Sequence, residues 1–476
     1  MNPAIDQTVA MVQGSSPIEV NAAVNAAHAA YEKDWRWRPF MERAQMLLSA
    51  AKVIREHAEE LARLETSENG KVYSFARHTD IEQCISSFEF FGGIPATSIA
   101  NSFIDGGSYY DQRVAEPYGV VAAIIQANWP AINLASKLAP ALVMGNTVVL
   151  KPSSAAPLTA LRIIELIAPI FPSDVLQVVL GAGAVVGKAL VAHPQVRKVA
   201  ITGSTPAGIE VMKTAANRLT PTSTTLSGKN AAIIFDDADE TAAVRTLLEG
   251  AFANQGESRT ALSLFLLQRR IHDRILPQLA NATLRLRVGD GMEPQTHIGP
   301  VGSRHRQQHA LAAIESAMNA GARLVAQARV PTSKPLCDGY FVPPTLLSDV
   351  TLDMAVTRDQ LLAPIAAVMS FRTAEDAVAI VNDSDFGMLS VVFTQNHNLA
   401  TRLSRRLDVG TVFLNNYERS GNGVLFNGGG AIKASGTGGE GRSLESLREF
   451  SRQRLVRTAT GAGELQSWSA INDILS

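Results

Sequence analysis

Three short motifs, each placed where an apolar run gives way to a helical stretch, are the first residues here that could bind a small ligand. Gly181-Ala182-Gly183, with Gly187 four residues on, follows the apolar run 176–180. Glycine in that place permits a tight turn and close backbone approach, and a helix N-terminus favours a phosphate. The spacing is not GxGxxG, however, and strand-to-helix turns use glycine with or without a ligand. Lys151 ends the run in Val149-Leu150-Lys151-Pro152-Ser153, at a strand's carboxyl end, where ligands of parallel sheets bind; the competing reading is a solvated lysine. Thr202-Gly203-Ser204-Thr205 makes a third such junction, and its plainest reading is a helix cap in which Ser204 or Thr205 bonds a backbone N–H. Thiol and metal chemistry have little to draw on. Cys84 and Cys337 lie far apart with no CxxC partner, which argues against a disulfide framework or a structural zinc and for two small, partly buried apolar residues.

The elements that must carry these motifs follow from periodicity. Ser16-Pro17-Ile18-Glu19 offers an N-cap serine, a proline at the first helical position and a glutamate closing the capping box. A second helix is predicted over 41–65, with Asn69-Gly70 beyond its end. From residue 119 short apolar runs alternate with helices: strands over 120–125, 147–150, 176–180 and 198–202, and helices over 132–144, 158–167 and 184–192. Strands this apolar are buried on both faces, which predicts a parallel, doubly wound sheet covered by helices. After Gly228 the alternation resumes, with strands over 232–235, 262–267, 391–393 and 411–414 and helices over 240–253, 304–320, 374–381 and 400–406. The fold class is therefore α/β with two such sheets. The polar stretch 108–113 fits neither and reads as an outlying strand.

Composition sets the bounds. The 476 residues exceed one ordinary core and divide into two or three domains. A net charge of -1 removes the usual reason to expect nucleic-acid binding. The apolar runs are too short to span a bilayer and the first residues do not resemble a signal peptide, so a cytoplasmic protein is expected, with no membrane and no metal.

Taken together the motifs are far more specific. Ala127-Asn128-Trp129-Pro130, Lys137, Leu138-Ala139-Pro140-Ala141-Leu142, Gly145-Asn146-Thr147, Leu150-Lys151-Pro152-Ser153 and Thr202-Gly203-Ser204-Thr205 stand in the order and spacing of the aldehyde dehydrogenase superfamily. So do Asn254-Gln255-Gly256, Asp385-Phe386-Gly387, Asn415-Asn416, Gly428-Gly429 and Ser435-Gly436. The chain resembles that family from about Asn2 to Val456. The resemblance implies an NAD(P)-binding domain over 1–105 and 119–227 and a catalytic domain over 228–430. Oligomerisation strands and a C-terminal segment over 106–118 and 431–476 would join the subunits of a homodimer or homotetramer. It also implies roles by position: Lys151 and Ser153 for the adenosine ribose, Gly183 and Gly187 for the diphosphate turn, and Ser204 for a phosphate oxygen. Leu226, Gln360 and Leu362 complete the implied cofactor contacts. Ser154 stands where many NAD-preferring members have glutamate; without that charge a 2′-phosphate meets no repulsion, so the cofactor is expected to be NAD or NADP.

The family's chemistry uses a thiolate to attack an aldehyde, hydride transfer to nicotinamide, and a glutamate that activates water on the thioester. Asn128 matches the oxyanion asparagine. The nucleophile position, however, falls on Arg259 in Asn254-Gln255-Gly256-Glu257-Ser258-Arg259-Thr260, and a guanidinium is no nucleophile. Thr225 takes the general-base position in Thr225-Leu226-Ser227-Gly228-Lys229. In Gln360-Leu361-Leu362-Ala363-Pro364 a carboxylate and an aromatic face are both replaced. Neighbouring Ser258 has no assigned base, and Glu440 reads as a distant second base or a surface glutamate. Three readings stay open. The first is a family member inactive or impaired in aldehyde oxidation that keeps nucleotide binding. The second is an oxidoreductase that works without a thioester through Arg259 and Asn128 on an aldehyde or carboxylate ligand. The third is a non-redox anion-binding or partner subunit.

Overall fold

A computed structural model of the protein describes residues 1–98, 102–107, 109–417, 430–438, 443–460 and 474. In chain order, β1 (Phe103–Asp105) and β2 (Tyr109–Pro117) precede β3 (Val120–Ile124), β4 (Thr147–Lys151), β5 (Leu176–Val178), β6 (Val196–Thr202) and β7 (Thr222–Thr225). The last five form a parallel sheet in the order β5-β4-β3-β6-β7. A second sheet draws on β8 (Asn230–Ile234), β9 (Leu262–Gln268), β10 (Arg323–Gln327), β11 (Thr345–Ser348) and β12 (Ile365–Phe371). The short β13 (Phe386–Gly387) comes next, then β14 (Leu389–Phe393) and β15 (Thr411–Leu414), which complete that sheet in the order β10-β11-β12-β9-β8-β14-β15. Only its edge strand β10 runs antiparallel to its neighbour. Finally β16 (Ile432–Lys433) pairs with β13, and β17 (Ser451–Ala459) joins β1 and β2 in a small antiparallel sheet.

The doubly wound α/β expectation therefore holds, and burial shows why. Each residue of β3 from Val120 to Ala123 is buried, and so is every residue of the helix Pro130–Val143 beside it. A helix buried all round can sit only inside a domain, between a sheet and further helices. The capping box at Ser16 forms, with Glu19 N donating to the Ser16 hydroxyl at 3.3 Å and the Glu19 carboxylate accepting from Ser16 N at 2.7 Å.

Several expectations need correction. The helix predicted over 41–65 is two, Phe40–Glu56 and Ala58–Asn69, broken at His57, whose backbone leaves the helical region (φ −107°, ψ 14°) while its ring nitrogen lies 3.0 Å from the Val53 carbonyl. The helix over 184–192 begins instead as a wide turn over Gly183–Gly187. Polar β7, short β10 and β11, and the helices Glu82–Gly93 and Arg269–Leu284 carried no pattern that had singled them out. The antiparallel layer starts at β1, before residue 106. The segment from 431 does not serve that layer alone, because β16 first pairs with β13 and Leu226 N donates to Ser435 O at 2.7 Å. Among the described residues no helix is long and apolar enough to cross a membrane.

One side chain ties these layers together. Asn146, fully buried, accepts from Tyr118 N at 2.7 Å and Gly119 N at 3.2 Å, and donates to Phe450 O at 2.8 Å and Ala141 O at 3.0 Å. It thus joins the end of β2 and the start of β17 to the first parallel sheet. Asn146→Ala would orphan buried backbone groups on three segments. Chemical denaturation should show a loss of roughly 2–4 kcal/mol, and an unchanged midpoint would contradict this role.

Candidate functional site

The carboxyl edge of the first sheet meets the amino edge of the second. Residues 127–130 follow β3 and Thr225 ends β7, while residues 254–261 lead into β9 and residues 360–364 lead into β12. The predicted chemistry-bearing positions from four distant parts of the chain are brought to this one junction.

The loop leading into β9 is strained. Asn254 (φ 53°, ψ 44°), Gln255 (φ 45°, ψ 31°) and Gly256 (φ 70°) are all left-handed. Side-chain residues in that region cost about 1 kcal/mol or more each and persist only where their surroundings fix them. Here the fixing groups are explicit. Asn254 Nδ2 donates to Asn128 O at 3.2 Å and Glu257 O at 3.1 Å. Asn128 Nδ2 and Trp129 Nε1 donate to the same Glu257 O, at 2.8 Å and 3.2 Å. The Glu257 carboxylate, fully buried, accepts from Arg306 Nη1 at 2.6 Å and Gly302 N at 3.0 Å. On the other side, a Cβ placed on Gly256 would lie 2.2 Å from Ala363 O, so only glycine lets the 360–364 loop approach this closely.

Arg259 is 9% exposed and directs Nη1 toward Asn133 Oδ1 at 3.5 Å. Its carbonyl accepts from Asn230 Nδ2 at 2.9 Å, and a Cβ on Gly228 would fall 2.5 Å from that same oxygen. Arg259 is thereby pinned against the segment that continues from Thr225. Thr225 is buried, its carbonyl accepts from Gly203 N at 3.1 Å, and it bridges to Gly436. The Ser258 hydroxyl lies 2.9 Å from that of Thr260. Beneath Asn128, Lys71 forms a fully buried cluster with Glu65 at 2.6 Å and with Asp80, and donates to Asn128 O at 3.2 Å. Burial pulls the Lys71 ammonium down and pushes the Glu65 carboxyl up.

The expected cofactor side is more open. Lys151 Nζ donates to Pro152 O at 3.1 Å, and burial holds its ammonium below the ordinary lysine range. Gly187 lies beside it, since a Cβ there would be 3.6 Å from Lys151 Cδ, while nothing would meet one on Gly183. Ser153 Oγ accepts from Ala155 N at 3.3 Å, and Ser154 Oγ donates to Gly181 O at 3.0 Å. Ser204 caps the helix Thr205–Ala216, accepting from Ala207 N at 3.4 Å, as its bland reading held. Leu226 is buried against Gly208. Among the described residues Gln360 Nε2 is buried with no hydrogen-bonding partner, and Leu362 takes a left-handed φ of 50°. A lysine at a strand's carboxyl end, an open glycine turn and an orphan amide are features a dinucleotide could occupy. Glu440 and Gly428-Gly429 lie outside the described residues.

Some residues of this junction were given no role by the sequence. Asn133 interrupts Ala131-Ile132-Asn133-Leu134-Ala135, a polar residue in a helix buried on all sides; that anomaly was a readable signal. Glu68 had none. It reaches across to the helix Leu158–Ile167, accepting from Leu158 N and Thr159 N at 2.7 Å each, and it lines a cavity of about 190 Å³ with Ser154 and Gly181. Lys229 is buried, donates to Val356 O at 2.7 Å, and is pulled down to about 7 by that burial.

Comparison with known proteins is unequivocal about ancestry. The profile of the aldehyde dehydrogenase family matches residues 1–456. Aldehyde dehydrogenase citD of Monascus ruber is 42% identical over 474 residues, which cover 100% of this chain and 93% of that one. Betaine aldehyde dehydrogenase of Mesorhizobium japonicum is 33% identical, over 96% of this chain and 93% of its own. An aldehyde dehydrogenase from Bacillus cereus, solved as an NAD+ complex, superposes with a TM-score of 0.91 at 32% identity, covering 96% and 92% of the two chains.

Two measurements test the geometry. Burial raises the Glu68 carboxyl from 4.5 to about 7. The folded state therefore holds a proton that the unfolded state has lost, and Glu68's contribution is complete below pH 4.5 and disappears as pH rises through 7. Across that window the stability of wild type relative to Glu68→Gln should fall by roughly 3 kcal/mol; a pH-independent difference would refute the buried assignment. Gly256→Ala should destabilise by at least roughly 3 kcal/mol or abolish soluble expression, and a wild-type thermal midpoint would show that the two loops are not in contact.

Proposed function

Since the chain belongs to the aldehyde dehydrogenase family, we propose that it is a member that binds a nicotinamide dinucleotide but does not oxidise aldehydes through a thioester. The observation that carries this reading is Arg259 at the nucleophile position. The strained loop around it and its anchor to Asn128 are built as a reacting site would need, yet the group presented is a permanent cation with no electron pair to give. Thr225 supports the same reading, because a buried hydroxyl cannot serve as a base on water at neutral pH. The Asn128 amide, matched to the oxyanion role, donates to Glu257 O and so contributes to holding the loop.

In this reading the first sheet and its N-terminal helices bind the cofactor and the second sheet carries the former reacting side. Lys151, Ser153 and Ser154 would hold the adenosine ribose, with Ser154 admitting a 2′-phosphate. Gly183, Gly187 and Ser204 would meet the diphosphate. Gln360 would offer an amide to the nicotinamide ribose, beside Leu226 and Leu362. When bound, the cofactor would supply a hydride acceptor, but position 259 offers no thiolate and position 225 no carboxylate for the steps around it. The small sheet β1-β2-β17 exposes Ile104 and Leu455 on one face and Phe103 on the other, and the Ile104–Leu455 face is suited to packing on a second copy in a homodimer or homotetramer.

Titration with NAD and NADP should raise the thermal midpoint, while a panel of aliphatic and aromatic aldehydes should give no reduced cofactor above background. Saturable turnover of any aldehyde would overturn the proposal. Arg259→Cys combined with Thr225→Glu should create measurable oxidation, limited by Gln360 and Leu362. For the assembly, Leu455→Arg should shift the mass measured by light scattering toward the monomer, and an unchanged mass would reject this face.

A further inference from the structure

The geometry points to a site for a small aryl carboxylate at Arg43, in a cavity that shares no residue with the junction described above. The cavity holds about 400 Å³, the size of a small-molecule site. It lies between the turn Trp35–Trp37, the start of the helix Phe40–Glu56 and the end of β2 at Pro117. Arg43, 8% exposed, forms part of its wall. Arg43 Nε donates to Val143 O at 2.9 Å and Nη1 donates to Arg38 O, while Nη2 has no hydrogen-bonding partner among the described residues. No carboxylate pairs with the group among those residues, and burial alone pulls the guanidinium down to about 10. The two carbonyls are neutral, and the carbonyl end of the helix Pro130–Val143 offsets only part of a unit charge.

The other charges at the cavity are already balanced. Arg36 pairs with Glu32 at 2.8 Å, Arg38 with Asp34 at 2.9 Å, and Glu116 with Arg454 at 2.9 Å. Arg43 is therefore the one cation of this wall that lacks a counter-charge among the described residues. Buried charges persist where they are paired, and a guanidinium is matched best by a carboxylate. Glu116 on the same wall opposes a second negative charge, which favours a monoanion over phosphate. The body of the ligand follows from the remaining walls. Phe40, Met144 and Pro117 are apolar, and Trp37 is 70% exposed. One face of the Trp37 ring carries the Arg36 guanidinium, 4.6 Å from the ring centroid, and the opposite face is left for a flat ring to stack on. An aryl carboxylate meets both demands. An aryl alcohol leaves the charge unmatched, and an inorganic anion leaves the apolar walls wet.

Isothermal titration of the full chain with sodium benzoate tests this, against benzyl alcohol, benzylamine and inorganic phosphate. Benzoate should bind more tightly than all three. Arg43→Lys keeps the charge and loses the planar fork, and should weaken benzoate about tenfold or more. Trp37→Ala, at an exposed side chain, should weaken it about threefold or more. Thermal midpoints establish that each variant is folded, and Trp37→Ala carries the test where Arg43→Lys is not. Benzoate held elsewhere on the protein would bind the folded variants undiminished, and that result would overturn the proposal. So would absence of benzoate binding at millimolar concentration, or equal affinity for phosphate or benzyl alcohol. No turnover enters the readout, so aldehyde oxidation by wild type would defeat the proposed function and leave this result standing.

Discussion

One carbonyl oxygen, that of Glu257, holds the site together. It accepts from Asn128 Nδ2, Trp129 Nε1 and Asn254 Nδ2, which come from the loop after β3 and from its own left-handed turn. The turn cannot relax while those donors are engaged, and Gly256 cannot retreat while the 360–364 loop lies against it. Glu257 itself is anchored by Arg306 and Gly302. Arg259 inherits its position from this chain of constraints.

In the proposed reading, that arrangement would let a protein keep an architecture while losing a reaction. The elements that place the nucleophile position are backbone conformations and hydrogen bonds of Asn128, Asn254, Glu257 and Gly256, none of which needs a thiol. The side chain at position 259 projects from that frame. Replacing it alters the chemistry while leaving the frame's own bonds intact, and the same holds for Thr225 at the end of β7. In the same reading the cofactor side would depend on a different set of residues around Lys151, Gly183 and Gly187, so its retention would be physically independent of the loss.

Much of this was legible in the sequence. The runs at 120–125 and 147–150 read as buried strands because nearly every residue is apolar, and they are buried. Motif spacing pointed to Asn128, Thr225 and Arg259, and the fold brings those positions to one junction across more than a hundred residues of chain. What escaped was of two kinds. Strands such as β7, Thr-Ser-Thr-Thr, owe their burial to hydroxyl bonds with distant Thr437 and Lys198, which no local pattern announces. Supporting groups such as Glu68, Lys71 and Glu257 are charges buried only because partners arrive from elsewhere in the fold, and residue type alone argues for the surface.

The central claim, that the reacting side forms no thioester, is tested most directly by the first turnover. Protein saturated with NAD or NADP, as judged by titration, is mixed rapidly with an excess of aldehyde while reduced nicotinamide absorbance is followed. The account predicts no burst, because hydride transfer in this family waits on a covalent hemithioacetal that Arg259 cannot form. A burst stoichiometric with protein, accompanied by a matching acyl mass increase on the intact chain, would contradict it.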